Sequence, residues 1–217
     1  MTAIAISRLH FPVTTLGPGR RIGIWVQGCS IRCPGCISAD TWAPGRGLTT
    51  VQGVTEAITA WLREAEGITI SGGEPLDQPE ALLVLLRSLR ERTDTDILLY
   101  SGHSAEAIAP WVAAADGLFD ALVSEPYAQG ASQTLALRGS DNQRLHLLTE
   151  LGRRRFAAYE RPAVAGDRRF DVMFDDDGEI WLAGIPARGD MRRLRDALTL
   201  AGHRAWTSQA SEAGRAP

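Results

Sequence analysis

The sequence contains no lysine, since all 23 of its basic residues are arginine. Chemistry that needs a lysine Schiff base or a P-loop lysine is therefore excluded. The formal net charge is −3, which argues against a dedicated nucleic-acid binder because such domains carry a basic footprint. The sequence lacks an apolar run of the roughly 20 residues that span a bilayer, and its N-terminus lacks the pattern of an export signal. We therefore expect a cytoplasmic protein with no membrane or nucleic-acid partner.

Cysteine is scarce and confined to one segment. Cys29, Cys33 and Cys36 are the three cysteines of the chain, and they have a C-x3-C-x2-C spacing. A disulfide framework would use an even number of cysteines spread along the chain, so this pattern favours a reduced, cytoplasmic protein. Three thiolates this close in sequence can surround one metal centre.

Two kinds of metal centre fit three cysteines. A structural zinc site needs a fourth ligand, for which His103 is the best-placed candidate. A [4Fe–4S] cluster ordinarily takes four cysteine ligands, so three would leave one iron open to an exogenous ligand. An open coordination position is what metal catalysis requires. The cysteines are therefore candidates for both metal-binding and catalytic residues.

Apolar periodicity predicts strands that alternate with helices over the first 150 residues. Predicted strands cover 21–27, 67–70, 96–100, 119–123 and 144–149, and predicted helices cover 50–64, 79–92 and 104–114. This alternation is typical of an α/β fold with a parallel sheet, whose ligands bind at the carboxyl ends of the strands. We expect the cysteine segment and the segments 71–74, 100–103 and 124–125 to meet at that edge.

The last third of the sequence has a different pattern. Residues 151–166 are predicted to form a connector with a solvated charged face. A β-hairpin with an Asp-Gly turn is predicted over 170–182, and an amphipathic helix over 190–201. These patterns predict a core domain over 1–150, an extension with a hairpin and a helix over 151–206, and a flexible tail over 207–217.

The cysteine spacing is followed at the end of the second predicted strand by Ser71-Gly72-Gly73-Glu74-Pro75. Together, these two motifs resemble those of the radical S-adenosylmethionine (SAM) enzymes. The resemblance implies a [4Fe–4S] cluster held by the three cysteines, with SAM bound to the remaining iron. It also implies reductive cleavage of SAM to a 5′-deoxyadenosyl radical that abstracts a hydrogen atom. The segment Ser71, Gly72, Gly73 and Glu74 would then bind SAM.

A narrower resemblance comes from the segments 17–21, 99–103 and 138–144 together with Thr41-Trp42. They resemble the activating enzymes of anaerobic ribonucleotide reductase. This implies an incomplete (βα) barrel of radical SAM type, here with a C-terminal hairpin and helix extension, and hydrogen abstraction from a glycine of the partner reductase. By the same resemblance, the SAM pocket would be lined by Ser101, Gly102, Arg138, Ser140 and Asn142.

The electron donor implied by the resemblance is a flavodoxin- or ferredoxin-like protein. Arg20, Arg21 and Arg32 would attract such an acidic donor if they lie near the cluster, or they form a solvated rim. His103 is either a SAM-contacting or proton-transferring residue or an ordinary loop histidine, whereas His146 is expected to be structural.

Two features depart from the pattern of the activating enzymes. Ser124-Glu125 stands where an Asp-Gly pair is usual, so Glu125 either takes the role of that acid or is merely solvated. The extension would extend the sheet, cover the open side of the barrel or dock a different substrate. A stand-alone radical SAM enzyme that modifies a peptide or small metabolite, and a non-catalytic zinc or iron–sulfur protein, therefore remain as alternatives.

Overall fold

The computed structural model describes residues 1–174 and 180–203, and its main feature is a seven-stranded sheet. In chain order the strands are β1 (Ala3–Val13), β2 (Arg21–Val26), β3 (Leu48–Thr50), β4 (Gly67–Gly72), β5 (Asp96–Tyr100), β6 (Ala121–Ser124) and β7 (Arg144–Leu147). Across the sheet their order is β3-β1-β2-β4-β5-β6-β7. The α-helices are α1 (Val51–Ala57), α2 (Pro79–Arg90), α3 (Ala105–Ala114), α4 (Glu150–Phe156) and α5 (Asp190–Leu200).

The centre of the sheet is parallel, which confirms the predicted α/β class. Strands β2, β4, β5 and β6 are parallel to one another. At the two edges, β1 is antiparallel to β2, β3 is antiparallel to β1, and β7 is antiparallel to β6. The predicted strand over 144–149 is present as β7, but it pairs antiparallel with β6, and the connection over 125–143 contains no crossover helix. The sequence analysis missed β1, whose burial pattern is irregular and which contains Pro12.

One face of the sheet, called here the outer face, carries the main hydrophobic core. Alternate residues of the parallel strands, such as Ile22, Ile68 and Ile97, pack there against the helices. In α2 the buried leucines recur with helical spacing, at positions 82, 85, 86 and 89. The predicted helix over 50–64 is wrong in its length, because α1 ends at Ala57 and a 3₁₀ turn follows at Trp61–Arg63.

The opposite, inner face is polar at the amino ends of the strands. Arg21 Nη2 donates to Asp96 Oδ1 at 2.6 Å, and Arg21 Nε donates to Thr69 Oγ1 at 2.7 Å. Arg155 Nε of α4 donates to the other oxygen of Asp96 at 2.8 Å. In the predicted connector over 151–166, Arg153 and Arg154 are exposed as expected, but α4 also places Arg155 and the fully buried Phe156 on this face.

The two arginines that precede and begin β2 lie far from the cysteine segment. Arg21 is fully buried, and the neighbouring Arg20 pairs with Glu64 at the amino edge of the sheet. The cysteines follow the opposite, carboxyl end of β2. The expectation that Arg20 and Arg21 flank the cysteines is therefore wrong, whereas Arg32 lies within the cysteine segment.

The predicted hairpin is confirmed as β8 (Phe170–Phe174) and β9 (Ile180–Gly184), with its turn outside the described residues. It forms a separate two-stranded sheet, so it does not extend the main one. Its buried side, with Met173 and Ala183, packs on Val13, Leu16 and Trp25. The extension therefore covers the inner face next to β1.

The same extension also reaches the loop that follows β6. Gln133 Nε2 donates to the carbonyl of Pro186 at 2.9 Å, and Arg188 donates to the carbonyl of Ala131. The predicted domain boundary near residue 150 coincides with the start of α4, and the predicted tail over 207–217 lies outside the described residues. Within the described ranges, no helix combines the length and apolarity needed to cross a membrane.

Candidate active site

The cysteine segment begins where β2 ends and is held at its base by a 3₁₀ turn at Ala39–Thr41. The amide of Gly28 donates to the carbonyl of Thr41 at 2.7 Å, and that of Cys29 donates to the carbonyl of Trp42 at 3.3 Å. All three cysteines are reduced rather than joined in disulfides, and all are partly exposed. Residues 28–42 therefore form a partly exposed loop, the cysteine loop, whose two ends are joined by backbone hydrogen bonds.

Nitrogen donors face each of the three sulfurs. The amide of Arg32 donates to the sulfur of Cys29 at 3.5 Å, and a backbone amide of Tyr127 donates to the sulfur of Cys33. The sulfur of Cys36 accepts from the amide of Ser38 at 3.4 Å and from the indole of Trp42. Such N–H donors favour a thiolate, which is the form that binds metal.

The protonation of the loop depends on two opposing effects. Burial raises the pKa of the Cys33 and Cys36 thiols, and the N–H donors lower it. Cys29 also raises the pKa of the Cys33 thiol, and Cys33 and Cys29 raise that of the Cys36 thiol, because a second thiolate nearby is unfavourable. A bound cation would remove this penalty, since a metal deprotonates its coordinating thiols outright.

The two metal centres that the spacing allows place different demands on the thiols. A zinc ion needs four ligands around one point, whereas a [4Fe–4S] cluster takes its ligands on different irons. Among the described residues, no group of three or more His, Cys, Asp or Glu side chains is arranged to hold a single metal ion. Three neighbouring thiols with N–H donors fit an iron–sulfur cluster.

The loop after β4 approaches the cysteine loop directly. The amide of Gly73 donates to the carbonyl of Val26 at 2.9 Å, and that of Glu74 donates to the carbonyl of Gly28 at 2.8 Å. A Cβ at Gly73 would lie 2.0 Å from the oxygen of Gly28. Glycine is required here because the two backbones touch. Ser71 and Gly72 precede this contact, and Gly72 has a φ of 107° that favours glycine.

Glu74 joins this loop to the loop after β5. Its carboxylate is buried and accepts from Ser101 Oγ at 2.9 Å and from the amide of Gly102 at 2.7 Å, besides the amide of Leu76 at 2.9 Å. Burial raises the pKa of the Glu74 carboxyl, although the three donors oppose this. The side chain of Glu74 would have to leave these donors in order to contact SAM.

The loop after β5 closes the third side of this group. Ser101 is buried, and its amide donates to the carbonyl of Val123 at 2.9 Å. Gly102 lies against the side chain of Ile31 in the cysteine loop, 2.8 Å from where a Cβ would be. The predicted convergence at the carboxyl edge is therefore confirmed for the cysteine loop, 71–74 and 101–102.

The other three predicted pocket residues lie in the loop before β7. Ser140 Oγ accepts from the amide of Ala128 at 3.0 Å, and Asn142 Nδ2 donates to the carbonyl of Pro126 at 2.8 Å. Both thus hold the loop whose Tyr127 amide faces Cys33. Arg138 has a different neighbourhood, where it pairs with Glu160 at 2.6 Å in a groove of about 570 Å³ along β7.

Glu125 and His103 also meet at the carboxyl edge, where the amide of Glu125 donates to the carbonyl of His103 at 2.9 Å. Glu125 has a φ of 80°, and its carboxylate accepts from the amide of Ala105 at the start of α3 at 3.1 Å. His103 lies beside the loop after β5, where its amide donates to Ser101 Oγ at 3.2 Å. His146 Nε2 is 2.8 Å from Ser124 Oγ. Glu125 therefore caps a helix, in the place where the usual motif has glycine.

Three residues next to the cysteines were missed by the sequence analysis as site residues. The indole of Trp42 and the amide of Tyr127 contact cysteine sulfurs, and Asp77 binds the amide of Ser30 at 2.6 Å. Trp42 belongs to the Thr41-Trp42 pair that resembles the activating enzymes, and this resemblance could have identified it as a site residue. Asp77 and Tyr127 gave no signal of their own, because their partners lie far away in sequence.

The fold and the site together define an iron–sulfur protein of the α/β class. Residues 15–146 match the family model described as a 4Fe-4S single cluster domain, which is more than half of the chain. The chain therefore belongs to this family and is a radical SAM enzyme of the activating type. Its cofactors are accordingly a [4Fe–4S] cluster and SAM. This membership sets aside the alternative of a non-catalytic zinc or iron–sulfur protein.

Relatives with known names agree with this class. The chain is similar to the anaerobic ribonucleoside-triphosphate reductase-activating proteins of Escherichia coli K12 and Vibrio cholerae, which are 30% identical over 148 residues and 31% identical over 156 residues. Each match covers 64% of this chain and 96% of the relative. A pyruvate formate-lyase-activating enzyme of Clostridium pasteurianum is 38% identical over 81 residues, which are 35% of this chain and 34% of that enzyme.

Proposed function

We propose that this enzyme generates a glycyl radical on an anaerobic ribonucleotide reductase. When bound, the cluster supplies an electron that cleaves SAM, and the resulting 5′-deoxyadenosyl radical removes a hydrogen atom from the partner's glycine. The observation that carries the proposal is the match to ribonucleotide reductase-activating proteins over 96% of their length. A partner that is itself a glycyl-radical enzyme is also in keeping with the pyruvate formate-lyase-activating relative.

The residues of the carboxyl edge have distinct roles in this proposal. Cys29, Cys33 and Cys36 would hold the cluster, which would supply an open iron for SAM. Backbone carbonyls of the loop 71–74 would accept from the SAM amino group, while the Glu74 carboxylate keeps this loop against Ser101 and Gly102. Ser140 and Asn142 act on the pocket through the loop that contains Tyr127. Arg138 is the least supported pocket residue because Glu160 already neutralises it.

The surroundings of the site belong to the same proposal. The open sheet with its polar inner face corresponds to an incomplete barrel whose free side admits the glycine-bearing segment of the partner. A flavodoxin- or ferredoxin-like protein donates the electron from the side of the exposed Arg32, next to Cys33. The core over 1–150 would carry the chemistry, and the extension over 151–206 would face the partner.

Product formation tests the chemistry. After anaerobic reconstitution, dithionite and SAM are expected to yield 5′-deoxyadenosine, and the Cys33→Ala variant is expected to yield none. Ser38→Ala serves as the control, because it removes a neighbouring side chain but keeps the amide that faces Cys36. Retained SAM cleavage in Cys33→Ala would contradict the proposed ligand set.

A second candidate is a stand-alone radical SAM enzyme acting on a peptide or small metabolite. It is favoured by the extension, which lies beyond the family match and covers the inner face next to β1. Electron paramagnetic resonance separates the two candidates. A glycyl-radical doublet on the reductase after incubation supports the first, whereas a silent reductase with turnover of a small substrate supports the second.

A further inference from the structure

Asp77 joins the two loops that meet at the candidate site. It ends the 3₁₀ turn Pro75–Asp77, directly after the segment 71–74. Its Oδ2 accepts from the amide of Ser30 at 2.6 Å, and its Oδ1 accepts from Ser30 Oγ at 2.7 Å. Both oxygens of one carboxylate therefore bind the residue that follows Cys29.

With this contact, the loop after β4 is hydrogen-bonded to the chain on both sides of Cys29. The amides of Gly73 and Glu74 bind the carbonyls of Val26 and Gly28, which precede Cys29. Asp77 binds the residue on the other side. A two-point contact to a charged acceptor fixes direction as well as distance, so Ser30 cannot rotate without losing a bond.

The contact is not needed to build the turn in which Asp77 lies. The turn is closed by its own backbone, since the amide of Asp77 donates to the carbonyl of Glu74 at 3.0 Å. Glu74 also caps it through the amide of Leu76. The Asp77 carboxylate points away to the cysteine loop, and both Asp77 and Ser30 are exposed rather than part of the core. The Asp77 carboxylate therefore serves to connect the two loops rather than to stabilise its own turn.

We propose that Asp77 is a positioning residue that fixes Cys29, and with it the cluster, relative to the loop 71–74 that receives SAM, called the glycine loop. The inference rests on the proposed function, in which the cysteine loop holds the cluster and the segment 71–74 holds SAM. The cysteine loop would hold SAM through the cluster, and the segment 71–74 would hold the amino group of the same SAM molecule, so the two loops would have to keep a constant separation. Asp77 sets that separation from the side of the glycine loop.

The first test uses the full-length protein without cluster. Amide hydrogen exchange of peptides covering residues 29–33 is measured in Asp77→Ala, Ser30→Ala and the double variant. Asp77→Ala is expected to exchange about tenfold faster, because the Ser30 amide loses its acceptor. Ser30→Ala keeps that amide bond and is expected to show a smaller change. In the double variant, Ser30→Ala is expected to add nothing further, as coupled partners require.

The second test uses the reconstituted enzyme. Asp77→Ala is expected to keep its iron content but to raise the KM for SAM about tenfold and to weaken the change that SAM causes in the electron paramagnetic resonance spectrum of the reduced cluster. Asp77→Asn keeps one acceptor and is expected to fall between wild type and Asp77→Ala. Asp94→Ala, an exposed acid in a distant loop, is the control and should match wild type.

The outcomes separate this inference from the proposed function. Wild-type exchange rates in Asp77→Ala would overturn the inference, and so would a wild-type KM and spectrum in an enzyme that cleaves SAM. A wild-type protein that takes up no iron or cleaves no SAM would instead overturn the proposed function. The exchange measurement on the protein without cluster would still decide whether Asp77 holds the loop.

Discussion

At the scale of single residues, the environment of each cysteine sulfur is made by N–H groups from several parts of the chain. Arg32 and Ser38 lie within the cysteine loop, whereas Tyr127 comes from the loop after β6. Hydrogen bonds to sulfur are one of the properties that set the reduction potential of an iron–sulfur cluster. The relative position of the loops therefore bears on how readily the cluster is reduced as well as on where it lies.

The closest backbone approach at the site is at Gly73, and it gives a sharp prediction. In Gly73→Ala the new Cβ would lie 2.0 Å from the oxygen of Gly28, so the two loops must separate. We expect a loss of about 1–3 kcal/mol in the free energy of unfolding, the usual cost of overpacking. We also expect a lower iron content after reconstitution. Urea denaturation and iron analysis measure the two effects.

Gly130→Ala is the matched control for this change. Its added Cβ would meet nothing within 4 Å, so stability and iron content should stay at the wild-type level. If Gly73→Ala matched wild type in both measurements, the contact between the glycine loop and the cysteine loop would not hold the site together.

Local spacing was enough to predict that the cysteine loop and the segment 71–74 meet at one edge of the sheet, because each motif lies within a few consecutive residues at the end of a strand. It could not predict the partners that folding brings from elsewhere, such as Asp77 against Ser30 or the amide of Tyr127 against Cys33. At Glu74 the motif predicts SAM binding, and the structure adds contacts that the motif could not predict, because the carboxylate accepts from Ser101 and Gly102.

At the scale of secondary-structure elements, the sequence predicts the strands and helices that pack on the outer face of the sheet better than the contacts on its inner face. The outer face follows regular apolar spacing, so β5 was predicted with its observed bounds and α2 to within two residues. The irregular edge strand β1 and the reversed β7 follow no such rule. The amino ends of the inner face depend on pairing between distant elements, as in the contact of Asp96 in β5 with Arg155 in α4.

Asp96 connects β2, β5 and α4, and its replacement by asparagine is expected to weaken all three connections. Its fully buried carboxylate accepts from both Arg21 and Arg155. Asp96→Asn would leave the buried guanidinium of Arg21 without a compensating charge, at a cost of about 3–5 kcal/mol. Chemical denaturation measures the loss. Asp94→Asn, nearby but exposed, should cost nothing measurable, and an equal loss in both variants would contradict this account.

At the scale of the whole molecule, the extension distinguishes this chain from the matched activating proteins. The family match ends at residue 146, and the relatives cover 64% of this chain. The extension is held on the inner face by two kinds of contact. The Asp171 carboxylate accepts from Thr14 Oγ1 at 2.7 Å and from Thr15 Oγ1 at 3.0 Å, and Trp181 provides the main aromatic contact. The chain thus adds a layer beyond the matched part, and this layer packs on the inner face next to β1.

Replacement of Trp181 would show whether the extension can detach from the sheet while the sheet stays folded. Its ring lies 4.9 Å from that of Trp25 and 5.4 Å from that of His10, and the Arg8 guanidinium lies 4.5 Å from its centre. Trp181→Ala is expected to cost about 3 kcal/mol of packing, taken from the hairpin's attachment. Because stability is not uniform across a fold, we expect limited proteolysis to cut the extension faster while the remaining core stays resistant.

The control for Trp181→Ala is Phe174→Ala, in the same hairpin. Phe174 is 74% exposed, so its removal should leave the proteolysis rate unchanged. Mass spectrometry of the fragments identifies the site of cleavage in each variant. If Trp181→Ala instead accelerated cleavage throughout residues 1–150, the extension and the sheet would unfold as one unit, and the extension would be part of the core rather than a layer upon it.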